Sequence, residues 1–170
     1  MDKFTYVCQT KVYFGEGCLK EALSVELGKY GPTVMLAYGG GSIKKNGIYD
    51  EICRLLLQAG KNIVEFSGIM PNPTYRKVQE GAAFIRKYHV DLILAVGGGS
   101  VIDCCKAISA QAVLDEDIWE LEYIKGVFPT KGIPLGAVVT ASGTGAEMNN
   151  GAVITHEDKN WKGGILATAA

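Results

Sequence analysis

Three consecutive glycines, a serine and, three residues on, an aspartate make Gly97-Gly98-Gly99-Ser100-Val101-Ile102-Asp103 the stretch of this sequence with the clearest chemical capacity. Glycine lets a ligand come against bare backbone. Where glycines lead from an apolar run into a helix, the first amides of that helix lack partners and face outward at the positive end of its dipole. Such a place attracts an anion, and the usual anion at a strand-to-helix glycine turn is the pyrophosphate of a nucleotide. The same residues have a plainer use, because Ser100 with Asp103 fits a capping box that only starts the helix. Three adjacent glycines exceed what a turn needs, and this favours nucleotide binding.

The apolar run before the glycines, residues 92–96, reads as a strand buried on both faces. Similar strands are expected at 33–37, 62–66, 135–140 and 152–155, with a first strand or hairpin arm over 5–14. Between them lie helical patterns. One starts at Ile48, carries Ile52, Leu55, Leu56 and Ala59 on one face, and stops at Gly60. A second covers 74–88 with Tyr75, Val78, Ala82 and Ile85 in a stripe, and Asn72 as N-cap with Pro73 as first helical residue is expected to open it. A third starts at Val101. Strand and helix alternate, so the expected class is α/β: a Rossmann-like parallel sheet with helices on both faces. Ligands of such a sheet bind beyond the carboxyl ends of its strands, where the loops Gly39–Ser42, Gly97–Ser100 and Ser142–Glu147 fall.

Composition narrows the function. The 170 residues suit one domain, and their 22 glycines cluster in turns rather than repeating with a period. With 17 basic against 18 acidic side chains, a net charge of −1 and no long run of either sign, binding of nucleic acid or an anionic membrane by bulk charge is not expected. The five cysteines are odd in number and form no C-x-x-C pair. No basic leader or apolar run of about 18 residues is seen. A cytoplasmic protein with reduced thiols is the expectation, with Cys104 and Cys105 packing inside the third helix rather than reacting. His89 and His156 lie far apart and in no ligand pattern, so both are read as structural or surface residues.

Taken in order, Gly39-Gly40-Gly41-Ser42 with Lys44-Lys45, Gly68-Ile69-x-Pro71-Asn72-Pro73, Ala95 through Asp103, Thr140 through Glu147, and Asn150 through Ile154 resemble the iron-containing (group III) alcohol dehydrogenases, in their butanol dehydrogenase and aldehyde reductase branch. The resemblance covers nearly the whole chain. It implies an α/β dinucleotide-binding domain over 1–170, followed in family members by a helical domain that holds the metal with an aspartate and three histidines. By the same resemblance Gly98, Gly99 and Ser100 hold the pyrophosphate. Asn72, Thr140 and Thr144 meet the adenosine portion, its ribose or the phosphates; Asp103 and Val153 lie on the nicotinamide side; Lys162 is a basic residue that meets the cofactor. Each has a plainer use: Asn72 as a cap, Thr144 with Glu147 as a capping box, Val153 as a strand residue and Lys162 as a surface charge.

The first glycine loop bears on cofactor choice. A 2′-hydroxyl is commonly met by a carboxylate, and a 2′-phosphate by glycine, hydroxyl and positive charge. Gly40, Gly41 and Ser42 bring no acid and are followed by Lys44 and Lys45, so NADP is expected over NAD, with NAD possible. No catalytic or metal-binding residue is assigned within these residues, and Fe2+ or Zn2+ would belong to the full-length enzyme. The expected role is the cofactor half of an oxidoreductase moving hydride between NAD(P)H and a primary alcohol or aldehyde, a homo-oligomer when full length. The 170 residues alone would bind dinucleotide and turn over no alcohol. Two other readings stand beside it, a non-catalytic nucleotide-binding module and a dehydroquinate-synthase-like lyase.

Overall fold

In the structure, a computed structural model that describes residues 10–166, the chain runs α1 (Cys18–Glu26), β1 (Thr33–Tyr38), α2 (Ser42–Lys45), α3 (Ile48–Gln58), β2 (Asn62–Phe66), α4 (Tyr75–Tyr88), β3 (Leu92–Gly97), α5 (Gly99–Ala112), β4 (Leu135–Val139), β5 (Gly151–His156) and β6 (Trp161–Leu166). Strands β1 to β4 form one sheet in the order β2-β1-β3-β4, every pair parallel. Parallel neighbours need a crossover, and α3, α4 and α5 supply them between β1 and β2, β2 and β3, and β3 and β4.

Side-chain alternation sorts the two faces. Val34, Leu36 and Tyr38 of β1 point to one side, where they pack with Leu23 of α1, Ile52 and Leu56 of α3, and Leu92, Leu94 and Val96 of β3. Met35 and Ala37 point to the other, with Ile93 and Ala95, against Val78, Ala82 and Ile85 of α4 and Ile102, Ala107 and Ile108 of α5. All six residues of β3 are buried, as the unbroken apolar run predicts for a central strand covered on both sides. The expected layered α/β architecture is present.

Local differences are informative. Asn72 does not cap α4. It adopts a left-handed conformation with φ 53°, Pro73 lies before the helix, and Thr74 is the N-cap, its Oγ1 accepting from the Lys77 amide at 3.2 Å. Thr74 stands two residues nearer the helix, and its hydroxyl reaches the third helical amide. Nor does a capping box open α5: Gly98 is the N-cap with no side-chain bond, the helix begins at Gly99, and Asp103 bonds elsewhere. Thr144 likewise caps nothing, since the 3₁₀ turn Ala146–Met148 starts after Gly145 without a side-chain cap. Of the strand expected over 5–14, residues 10–14 are irregular and the rest lies outside the described residues, as does Cys8.

The strand over 152–155 exists as β5, but not in the parallel sheet. It pairs antiparallel with β6, with Val153 opposite Gly164 and His156 opposite Trp161. Ala152, Ile154 and Ile165 of this hairpin join the core on the α5 side. A single parallel bridge, Thr74 with Thr155, ties the hairpin to the start of α4.

Candidate functional site

Because the four sheet strands are parallel, the loops after β1, β2, β3 and β4 gather at one edge, and α5 starts there. The amides of Val101 and Ile102 turn back to the Gly98 carbonyl at 3.0 and 3.3 Å. Those of Gly99 and Ser100 precede the first helical repeat, so no helix carbonyl can take them. Neighbouring atoms fix two of the glycines. A Cβ on Gly99 would lie 2.7 Å from Thr144 Oγ1, and one on Gly97 would lie 2.6 Å from Val101 Cγ2. At Gly98 the nearest atom to such a Cβ is Ala141 Cβ at 3.8 Å, so the turn stays open there.

A cleft of about 490 Å³ opens in front of this turn. Of the residues singled out in the sequence, Asn72, Gly99, Ser100, Asp103, Thr144 and Val153 line it. Lys162 reaches its rim from β6, donating from Nζ to Asn72 Oδ1 at 2.6 Å across 90 residues of sequence. The left-handed backbone at Asn72, which asparagine tolerates better than most residues, goes with that contact. Gly98 forms the turn itself. Thr140 is not among the lining residues; its amide donates to the Gly97 carbonyl at 3.0 Å and closes the end of the β3–β4 ladder.

Gly40, Gly41 and Ser42 lie on the adjoining loop, outside the cleft. Gly39 joins that loop to the site: its carbonyl accepts from the Gly68 amide at 3.0 Å, and a Cβ on it would lie 2.9 Å from the Ile69 carbonyl oxygen and 3.7 Å from Val101 Cγ2. The loop itself brings no acid, but its surroundings do. Glu65 of β2 lies 3.4 Å from Lys44 Nζ, a proximity that sequence spacing does not reveal.

Asp103 is fully engaged. Its Oδ2 accepts from the Val153 amide at 3.0 Å, and its Oδ1 pairs with Lys106 Nζ at 3.2 Å, so it braces β5 against α5. Lys106 is the main residue that sequence reasoning missed. It is 2% exposed, and it donates to the Ala146 carbonyl at 2.8 Å, to Asn149 through both its carbonyl and Oδ1 at 3.2 Å, and to the Gly151 carbonyl. Burial pulls its pKa below the ordinary lysine value, against the opposing pull of Asp103. One ammonium thus holds the back wall of the cleft, the 146–151 segment, onto α5. The available signal was a lone lysine between Cys105 and Ala107 in an otherwise apolar stretch, three residues after an aspartate.

The remaining candidates are packing or surface residues. Cys104 and Cys105 are buried, and burial pushes the Cys104 thiol up to about 12, far from a reactive thiolate. His89 is the exposed, left-handed C-cap of α4. His156 is buried, stacked on Tyr75 at 4.5 Å and edge-on to Trp119 at 4.8 Å. Among the described residues, no three His, Cys, Asp or Glu side chains converge to hold a metal ion. Among them too, no helix is long and apolar enough to cross a membrane.

Comparison with known proteins bears on the same region. A family model described as iron-containing alcohol dehydrogenase matches residues 9–169. The probable NADH-dependent butanol dehydrogenase 2 of Bacillus subtilis is 46% identical over 162 residues, covering 95% of this chain and 41% of the relative. The NADPH-dependent aldehyde reductase YqhD of Escherichia coli is 38% identical, over 92% of this chain and 40% of the relative. Among solved structures, the NADH-dependent butanol dehydrogenase A of Thermotoga maritima matches with a TM-score of 0.91 at 40% identity, covering 99% of this chain and 42% of that one. The chain therefore spans about two fifths of the length of these relatives.

Proposed function

The chain belongs to the iron-containing alcohol dehydrogenase family, and from that premise we propose that residues 1–170 are a dinucleotide-binding domain which seats NAD(P)H with its diphosphate on the Gly98–Ser100 turn. The whole protein, on this reading, is a cytoplasmic oxidoreductase that moves hydride between the coenzyme and a primary alcohol or aldehyde, and it works as a homo-oligomer. Relatives whose names carry NADH and NADPH both support a nicotinamide coenzyme, and the butanol dehydrogenases and aldehyde reductase among them support the substrate class.

One observation carries the site assignment: α5 begins with two amides that precede its first helical repeat, behind a glycine whose Cβ would stand 2.7 Å from Thr144 Oγ1. An anion there gains the amide hydrogen bonds and the helix dipole together. Asn72 and Lys162 close one rim of the cleft, suited to the adenosine side. Asp103 and Lys106 fix β5 so that Val153, 46% exposed, presents an apolar flank on the nicotinamide side. The coenzyme, when bound, supplies the hydride; these residues bind and orient it. The iron of the family's name finds no group of three ligands among the described residues, and no step is assigned to a metal.

Titration of the chain with NADH and with NADPH, followed by coenzyme fluorescence, tests the assignment. Gly99→Val is expected to weaken both by more than about tenfold, roughly 1.4 kcal/mol, with the far-UV spectrum unchanged. Affinity equal to that of the parent chain would overturn it.

A further inference from the structure

A charged constellation at the ends of β1 and β2 is used by nothing described so far. Glu65, the penultimate residue of β2, accepts hydrogen bonds from the hydroxyls of Tyr38 at the end of β1 and Tyr49 on α3, both at 2.5 Å. Lys44 of α2 lies 3.4 Å from the same carboxylate. Its ammonium also stands 5.2 Å from the centre of the Tyr38 ring and 4.3 Å from that of Tyr49. The two rings meet edge-on at 5.9 Å. Lys44 is thus a cation held by two aromatic faces and one carboxylate, and it is still about half exposed.

Its place along the chain gives the arrangement a use. The segment from Gly39 to Lys44 starts beside Val101 in the first turn of α5 and ends at this cation. On the reading of the Gly98–Ser100 turn as the diphosphate seat, the attached ribose falls toward the loop after β1, the strand beside β3. A phosphate on that ribose brings a charge of about −1.5 to −2. To draw in Lys44 it must compete with Glu65. A free 2′-hydroxyl makes no such demand. The two tyrosine hydroxyls hold Glu65 in place, so the carboxylate cannot swing away without losing both bonds.

We propose that Glu65 is a specificity-determining residue that restrains Lys44 and so disfavours a 2′-phosphorylated coenzyme relative to its unphosphorylated counterpart. The proposal rests on the reading of the glycine turn as the diphosphate seat. It turns the charge balance near the first glycine loop into a competition between two named side chains.

The test is a coenzyme titration of the full chain and its Glu65→Gln, Lys44→Met and doubly substituted forms, with NADH and NADPH each measured. Glutamine keeps the size of Glu65 and an acceptor for the tyrosines while removing the charge. Glu65→Gln is expected to tighten NADPH by about tenfold relative to NADH, with NADH changed by less than about twofold; Lys44→Met is expected to shift the ratio by a similar factor the other way. In the Lys44→Met background, Glu65→Gln is expected to leave the ratio unchanged. An unaltered NADPH:NADH ratio in Glu65→Gln, or a shift that persists without Lys44, overturns the proposal. If the parent chain binds both coenzymes and Gly99→Val loses them, such a result leaves the diphosphate seat standing; if the parent chain binds neither, the seat and the proposal fall together.

Discussion

Lys106 shows how one side chain decides the shape of a site. Removing its ammonium strands the Ala146 and Gly151 carbonyls and leaves Asp103 without its counter-charge in a mostly buried position. Breaking such a pair from one side typically costs about 3–5 kcal/mol, so Lys106→Met is expected to lower the urea midpoint by that equivalent with an unchanged denaturant slope. A loss under about 0.5 kcal/mol would refute the role. Glu65 gives a pH signature. The Tyr38 and then the Tyr49 hydroxyl hold its pKa below the ordinary 4.5, so as the pH falls the unfolded chain takes up the proton first. The stability it contributes is complete above about pH 4.5 and is lost as the pH drops through the lower native value. Melting temperatures from about pH 6 to about pH 3 should therefore fall less steeply for Glu65→Gln than for the parent chain. At this scale the Gly97–Ser100 turn was legible from residue type and its position after a strand, and the family resemblance added Asn72 and Thr144, which line the same cleft. Lys106 and Glu65 were not, because their roles come from partners 40 to 45 residues away and from a neighbouring strand.

Periodicity made the elements legible where it was unbroken. The buried run of β3, the α4 stripe and the α3 face from Ile48 to Leu56 appear as their spacing predicts, while Ala59 falls at the exposed C-cap just beyond α3. β6 was missed because Gly163 and Gly164 interrupt the alternation that marks a strand, and the Trp161 side chain lies over Gly163 where a Cβ would otherwise stand. The pairing of β5 was missed for a related reason: a short apolar strand reads the same whether its neighbour is parallel or antiparallel. Helix packing offers a test in which two effects oppose each other. Alanine is favoured over glycine inside a helix by about 1 kcal/mol, but Gly81 of α4 faces Ile108 of α5 with no space for a methyl group. Overpacking costs about 1–3 kcal/mol, so Gly81→Ala is expected to destabilise the chain in chemical denaturation despite its better propensity. A stabilised variant would show that α4 and α5 can move apart.

For the molecule as a whole, the layered sheet serves to hold four strand ends in register so that loops distant in sequence share one cleft. Thr144 against Gly99 is a contact of this kind, and the β5–β6 hairpin adds Lys162 on Asn72 and the Val153 amide on Asp103. A ligand that bridges these loops stabilises the fold by mass action. At about a hundredfold excess over its dissociation constant, NADH or NADPH is expected to add about 2.7 kcal/mol, a rise in melting temperature of roughly 5–10 °C for a domain of this size. Such a rise alone would not locate the coenzyme. The most direct test is a crystal structure of the chain with NADH or NADPH. Diphosphate oxygens are expected within hydrogen-bonding distance of the Gly99 and Ser100 amides, with the adenosine toward Asn72 and the nicotinamide toward Val153. A coenzyme bound anywhere else on the chain, or the same turn filled by a side chain, would contradict that placement.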